Sequence, residues 1–169
     1  LDQDFVDAGE HIKAIRTACA VSLASLIEKY DGGSNSFPIE LLTFMTFLDR
    51  GGIQDELCRL GSLSLDEACD RLHVRASEWV QRLFGRNKDG DWDDTAYRAT
   101  TRVLWRYRLV TPVGEPWRGT TIHSAVRYQV SKSMASPEYW DSYLMLMASA
   151  CAQSEKEADS VHFRPHLIL

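Results

Sequence analysis

Apolar residues recur three and four apart along most of this chain, and the rhythm breaks only where glycines and small polar residues cluster. Residues 5 to 30 carry Ile12, Ile15, Cys19, Leu23, Leu26, Ile27 and Tyr30 at that spacing, which predicts a long helix with one buried stripe. DGGSNS, 31 to 36, ends it as a linker, and Pro38 then stands where the first turn of a helix accepts proline. PIELLTFMTFLDR is so apolar that most of its surface must be buried, and Gly51 and Gly52 stop it. GIQDELCRL reads as a short helix. SLSLDEACDRL opens with Ser64 three residues before Glu67, a capping-box spacing, and SEWVQRLF opens on Ser77 as its cap. SEWVQRLF buries Trp79, Val80, Leu83 and Phe84. After the polar loop GRNKDGDWDD, residues 94 to 107 return to a helical stripe of Ala96, Ala99, Thr100, Val103, Leu104 and Tyr107.

The pattern then changes. LVTPV, a Gly-Glu-Pro-Trp-Arg-Gly turn and TTI read as a short β-hairpin. His123 to Met134 is helical again, with Val126, Val130 and Met134 four apart. Ser136 caps a last helix expected to bury Tyr139, Trp140, Tyr143, Leu144, Met147 and Cys151. SEKEAD is a solvated stretch, and VHFRPHLIL starts a further element. Short helices, one helix, a two-stranded hairpin and another helix follow the order of a winged helix. The expected fold class is mainly α: a helical core with the hairpin as wing, and flanking helices.

The 169-residue length suits one compact domain plus a helical extension, and 44% hydrophobic with 25% charged residues is ordinary for a globular chain. A net charge of -5 argues against non-specific binding to nucleic acid or an acidic membrane. The start LDQDFVDAGE is acidic where a signal peptide is expected to be basic, and the absence of an initial Met together with the apolar end HLIL suggests a piece of a longer polypeptide. Cys19, Cys58, Cys69 and Cys151 form no CxxC pair and are expected as reduced thiols of a cytoplasmic protein.

The chemical candidates are few. Asn87, Asp89, Asp91 and Asp93 alternate around Gly90 like a calcium loop. In that frame the first and twelfth positions are Gly85 and Ala96, so both anchoring carboxylates are missing. A solvated loop with Asp93 or Asp94 capping the next helix is expected instead. Cys69-x3-His73 and His162-x3-His166 have ligand-like spacing, but neither completes a four-ligand set and Pro165 interrupts the second; no metal is expected. GxSxG, HExxH and a phosphate-binding Gly-Lys-Ser/Thr loop are all absent, so no catalytic residue is assigned.

Arg98, Arg102, Arg106, Arg108 and Arg118 form a basic band against Glu115 alone, and Arg98, Arg102 and Arg106 stand on one helical face. That helix precedes the wing, where a DNA-reading winged helix carries its recognition residues. Three readings stand: a nucleic-acid surface, a solvated face, and a docking surface for an acidic neighbour. The overall negative charge and Trp105 among the arginines favour docking.

His123 sits where the wing meets the next helix. Read by itself it is a capping or packing histidine. Its surroundings, IHSAVRYQV, resemble the end of the winged-helix domain in NB-ARC ATPases, the NLR-type STAND signalling switches. Their winged helix carries a Met-His-Asp signature at this junction, and fungal members often read Ile-His-x-x-Val, which fits Ile122, His123 and Val126. FPIELLTFMTFLDRGGI resembles the first helix of the fungal winged helix, and VLWRYRLVTPV its run into the wing. EYWDSYLMLMASACAQ and HFRPHLIL resemble the helical segment that leads to a repeat array.

The resemblance implies three parts: 1–33 as a helical linker from a nucleotide-binding domain, 34–135 as the winged helix, and 136–169 leading to C-terminal repeats. It implies that His123 contacts the β-phosphate of ADP held by the nucleotide-binding domain, so that ADP or ATP would be bound only with that domain. It implies a closed-to-open switch in cytoplasmic innate-immunity signalling, with homo-oligomerisation on activation. The partners would be the nucleotide-binding domain and repeats of the same protein, with no membrane. The module would catalyse nothing. Ser124 departs from the family's aspartate, which supports the histidine. The alternative function is a winged-helix nucleic-acid binder using Arg98, Arg102 and Arg106.

Overall fold

The computed structural model describes residues 2–30, 36–48, 52–114, 118–133 and 137–156, with backbone alone for 2–12, 133, 137–138 and 154–156. The element order is α1 (Asp2–Tyr30), α2 (Phe37–Thr46), β1 (Ile53–Gln54), α3 (Asp55–Leu63), α4 (Leu65–Leu72), α5 (Glu78–Phe84), α6 (Thr95–Arg106), β2 (Val110–Val113), β3 (Gly119–Ile122), α7 (Ser124–Ser133) and α8 (Pro137–Lys156). The linker 31–35, Gly51, the wing tip 115–117, Met134, Ser136 and the C-terminal stretch with His162 and His166 lie outside the described residues.

The architecture is mainly helical with a small antiparallel sheet, as the apolar rhythm predicts. The wing differs in one respect: it has three strands, in the order β1-β3-β2. Ile53 and Gln54, expected as the start of a helix, pair with Thr120 and Gly119 instead. The hairpin itself aligns Val110 with Ile122 and Val113 with Gly119. A two-residue strand has no periodicity of its own; only its distant partner makes it extended.

α2 lies at the centre because apolar residues cover most of its circumference. Ile39, Leu41, Leu42, Phe44 and Met45 are all buried. The ring of Phe44 lies 5.7 Å from Trp79, 5.7 Å from Phe84 and 6.5 Å from Tyr143, so α2, α5 and α8 meet in one aromatic cluster. α1 closes one side of the core with Leu23 and Leu26, packing on α2 and α7. Ile15, Cys19, Ile27 and Tyr30 are half-buried along the same stripe.

α8 packs on α3 and α4 and on α2, so it shares the core of the helices before it. Its phase differs from the expected one. Ser142, Tyr143, Met145, Leu146, Met147, Ser149 and Ala150 are buried, whereas Trp140 and Leu144 are 45% and 49% exposed. The cause is the close approach of α3, which is permitted by Gly61: a Cβ there would stand 3.2 Å from Leu146 Cδ2 and 3.3 Å from the Leu146 carbonyl oxygen. Ser149 Oγ donates to the Gly61 carbonyl at 2.5 Å, in the last turn of α3 where intrahelical partners run out. Ser64 Oγ and Gln153 Oε1, 2.9 Å apart, join the other end of the same seam.

Two expected caps do not form. Neither Ser64 nor Ser77 makes a side-chain cap bond. Ser64 turns to α8 instead, so a tertiary partner takes the hydroxyl that local chemistry would have used. α6 also differs in detail: Tyr97, Thr100 and Leu104 are its buried stripe, and Ala99 is exposed.

Candidate functional site

The expected candidates fall at the two ends of the wing. At the first, β3 delivers Ile122 into the core, and α7 begins one residue later. His123 is the residue between, and it acts as the helix cap. Its carbonyl accepts the Arg127 N–H at 3.0 Å. Its ring nitrogen Nδ1 accepts the Ala125 N–H at 3.1 Å. An imidazole accepting through Nδ1 carries its proton on Nε2, so the outward nitrogen is a donor. The ring is exposed. The junction therefore presents one N–H donor and the exposed Ser124 beside the N-terminus of a ten-residue helix, an electrostatic setting that favours an anion.

The base of this junction is firmly held. Val126 and Val130 are buried in the core at 1% and 0% exposure. Arg127 reaches back to the end of α2, where its Nη1 donates to the carbonyls of Thr46 at 2.6 Å and Leu48 at 2.5 Å. Those carbonyls belong to a helix terminus, which a guanidinium satisfies both by hydrogen bonding and by charge. Arg127 was not among the residues expected to matter, and its partners at the end of α2, 81 and 79 residues earlier, leave no local signal. Across the surface of α7, Arg16 of α1 stands 5.9 Å over the Tyr128 ring.

The second candidate is the basic face of α6, and its three arginines are not equivalent. Arg98 is committed within the fold: it pairs with Asp94 one turn before it and with Asp55 of α3 at 3.1 Å. Asp55 also receives the Tyr97 hydroxyl at 3.4 Å and lies 3.8 Å from Arg118 Nε, so this carboxylate joins α3, α6 and the wing. Arg102 and Arg106 are exposed, and no carboxylate among the described residues pairs with them. Beneath Asp55, Tyr97 and Cys58 are buried at 1% and 4% exposure. Burial, with Asp55 next, pushes the Cys58 thiol up to about 12, and burial likewise raises the Tyr97 phenol well above its usual range.

The other expectations resolve simply. The acidic loop closes on itself: Asn87 Oδ1 accepts the N–H groups of Asp89 and Asp91 at 2.9 and 3.0 Å, and Arg86 bridges to Trp92. Gly90 takes the left-handed turn at φ 88°. Asp93 Oδ1 accepts the Thr95 N–H at 3.1 Å, and hydrogen bonds from Thr95 hold the Asp93 carboxyl below its usual range. Cys69 donates its S–H to Met145, while His73 is exposed in the left-handed position that ends α4, so the pair does not converge. Among the described residues no group of three or more His, Cys, Asp and Glu is placed to hold a metal. No described helix is long and apolar enough to cross a membrane.

The chain matches no protein-family model, no curated protein and no solved structure.

Proposed function

We propose that this chain is the regulatory winged-helix module of an NLR-like STAND ATPase, and that His123 contacts the β-phosphate of a nucleotide held by a separate nucleotide-binding domain. The observation that carries the reading is the state of the His123 ring: exposed, yet fixed by its Nδ1 cap bond so that Nε2–H points outward as a donor. Such a donor, prepositioned beside a helix N-terminus, fits a phosphate oxygen without reorganisation. A buried or freely rotating ring would not. The nucleotide would supply the anion, and this chain would supply the N–H and the rigid base that Val126, Val130 and Arg127 give it.

The contact would work as a latch. A hydrogen bond to a charged group contributes about 1.5–3 kcal/mol. If it forms only in the closed arrangement, its loss biases the protein toward an open, oligomerising state by that amount. The exposed Ser124 hydroxyl, where the family carries aspartate, leaves the nucleotide side without an added negative charge.

The test separates the cap from the latch. In the protein that contains the nucleotide-binding domain, His123→Asn keeps a side-chain acceptor for the Ala125 N–H, whereas His123→Ala removes both functions. His123→Ala lowers stability by about 1 kcal/mol and His123→Asn does not. Both release a fluorescent ADP analogue roughly tenfold faster or more. Unchanged release in both variants would remove His123 from nucleotide binding.

A further inference from the structure

The side of the wing facing α6 forms a groove that the nucleotide reading does not use. Its floor is apolar: Trp105, which is 56% exposed, faces Pro112 and Val113 of β2 across a space of about 170 Å³. A dry cavity of about 150 Å³ holds one benzene, so this groove has the scale of one aromatic or leucine side chain. Its rim is basic. Among the described residues, Arg102 is exposed without a carboxylate partner, and Arg118 is 72% exposed with a 3.8 Å approach to Asp55 as its one carboxylate contact. An exposed aromatic ring that lines one groove together with exposed arginines has the composition of a binding hot spot rather than of a solvated helix face.

Charge decides the class of occupant. The groove is a small positive area on a chain of net charge -5. At Asp55, Arg98 and Arg118 it opens into a larger cavity of about 490 Å³ whose lining includes Glu56, Asp91 and Asp94. A nucleic-acid strand repeats its negative charge at every phosphate and would run into those carboxylates. A peptide can place two or three acidic residues over the arginines and end its charge there.

We infer that the groove between α6 and the wing binds a short acidic peptide segment, with one aromatic or leucine side chain inserted between Trp105 and Pro112 and flanking carboxylates on Arg102 and Arg118. The guanidinium planes suit carboxylates in a bidentate manner, and the apolar anchor sets the register. This site stands independently of the nucleotide contact at His123.

The probe is a fluorescein-labelled peptide with a central phenylalanine and two aspartates on each side, titrated with the intact chain and read by fluorescence anisotropy. Binding is expected in the range of roughly 10–100 µM, weakening as salt rises. Replacing the phenylalanine by alanine, or the aspartates by lysines, weakens it about tenfold or more. Arg102→Glu and Trp105→Ala each do the same from the protein side; both positions are exposed, and circular dichroism checks that the variants fold. Arg75→Glu makes the same change of charge at an exposed site away from the groove and leaves binding unchanged. Absence of binding, or binding indifferent to Arg102 and Trp105, overturns the proposal. So does a ten-nucleotide oligothymidylate that binds more tightly than the peptide and is lost in the same variants, since it would assign the groove to nucleic acid.

Discussion

Gly61→Ala sets two known effects against each other. Gly61 lies inside α3, where alanine is preferred by about 0.8–1.0 kcal/mol on intrinsic helix propensity. Local reasoning therefore expects stabilisation. The packing opposes it. The new methyl carbon would meet Leu146 Cδ2 at 3.2 Å and the Leu146 carbonyl oxygen at 3.3 Å, both tighter than ordinary contact. The side chain could turn only within a packed core, since Leu146 is 4% exposed. The carbonyl belongs to the backbone of α8, which Ser149 anchors to Gly61 itself at 2.5 Å. To admit the methyl, the two helices must move apart and stretch that bond. Overpacking of this kind costs about 1–3 kcal/mol. The net expectation is destabilisation of about 1 kcal/mol, or roughly 2–4 °C in Tm for a chain of this size. Urea unfolding followed by far-ultraviolet circular dichroism reads it directly, with an unchanged m-value confirming that the effect is on stability. An increase in midpoint would refute the claim that contact between α3 and α8 sets the tolerance of this position.

Three further outcomes follow from single groups. Arg127→Ala leaves the Thr46 and Leu48 carbonyls at the end of α2 without their charged donor and lowers stability by about 2 kcal/mol, measurable by the same unfolding curve. Arg108 holds a left-handed backbone at φ 56° just after α6, so Arg108→Gly relieves strain and raises stability by about 0.5 kcal/mol after the extra chain entropy is counted, read as a higher urea midpoint. The Cys58 thiol ordinarily titrates near 9.0 and is pushed up to about 12 by burial, so its contribution is complete below pH 9 and is lost as pH rises toward 12. In that window the unfolded chain releases a proton that the folded chain keeps, and each pH unit removes about 1.4 kcal/mol per such proton. Unfolding titrations between pH 8 and pH 11 should show this loss, and Cys58→Ala should make the slope shallower.

Much of the helical framework was legible because its signals are local. The largely apolar run of α2 had to be central, the stripe of α5 had to face inward, and the change of rhythm at Leu109 marked the wing. What escaped the sequence depends on distant partners. β1 is two residues long and is extended only because β3 lies beside it. Ser64 looks like a helix cap, yet Gln153 claims it from 89 residues away. Trp140 and Leu144 looked buried by spacing, but the small residues Gly61 and Ser149 draw a different face of α8 inward. The same holds at the candidate sites. Arg98, Arg102 and Arg106 share a helical face, and nothing in their spacing says that Asp55, 43 residues earlier, occupies the first and leaves the other two to solvent. For His123 the sequence indicated the junction. The capping bond that fixes the orientation of the ring is visible only with the chain folded.

The placement of α8 has a consequence for synthesis. Helices α2 to α5 emerge from the ribosome with one flank of α3 bare, because the surface that covers it is made 88 residues later, as the separation of Gly61 and Ser149 shows. At about 5–20 residues per second, that flank stays open for several seconds on every new chain. α8 is thus the helix that closes the described core over α3, and a nascent chain stalled before it would present an oily seam to chaperones.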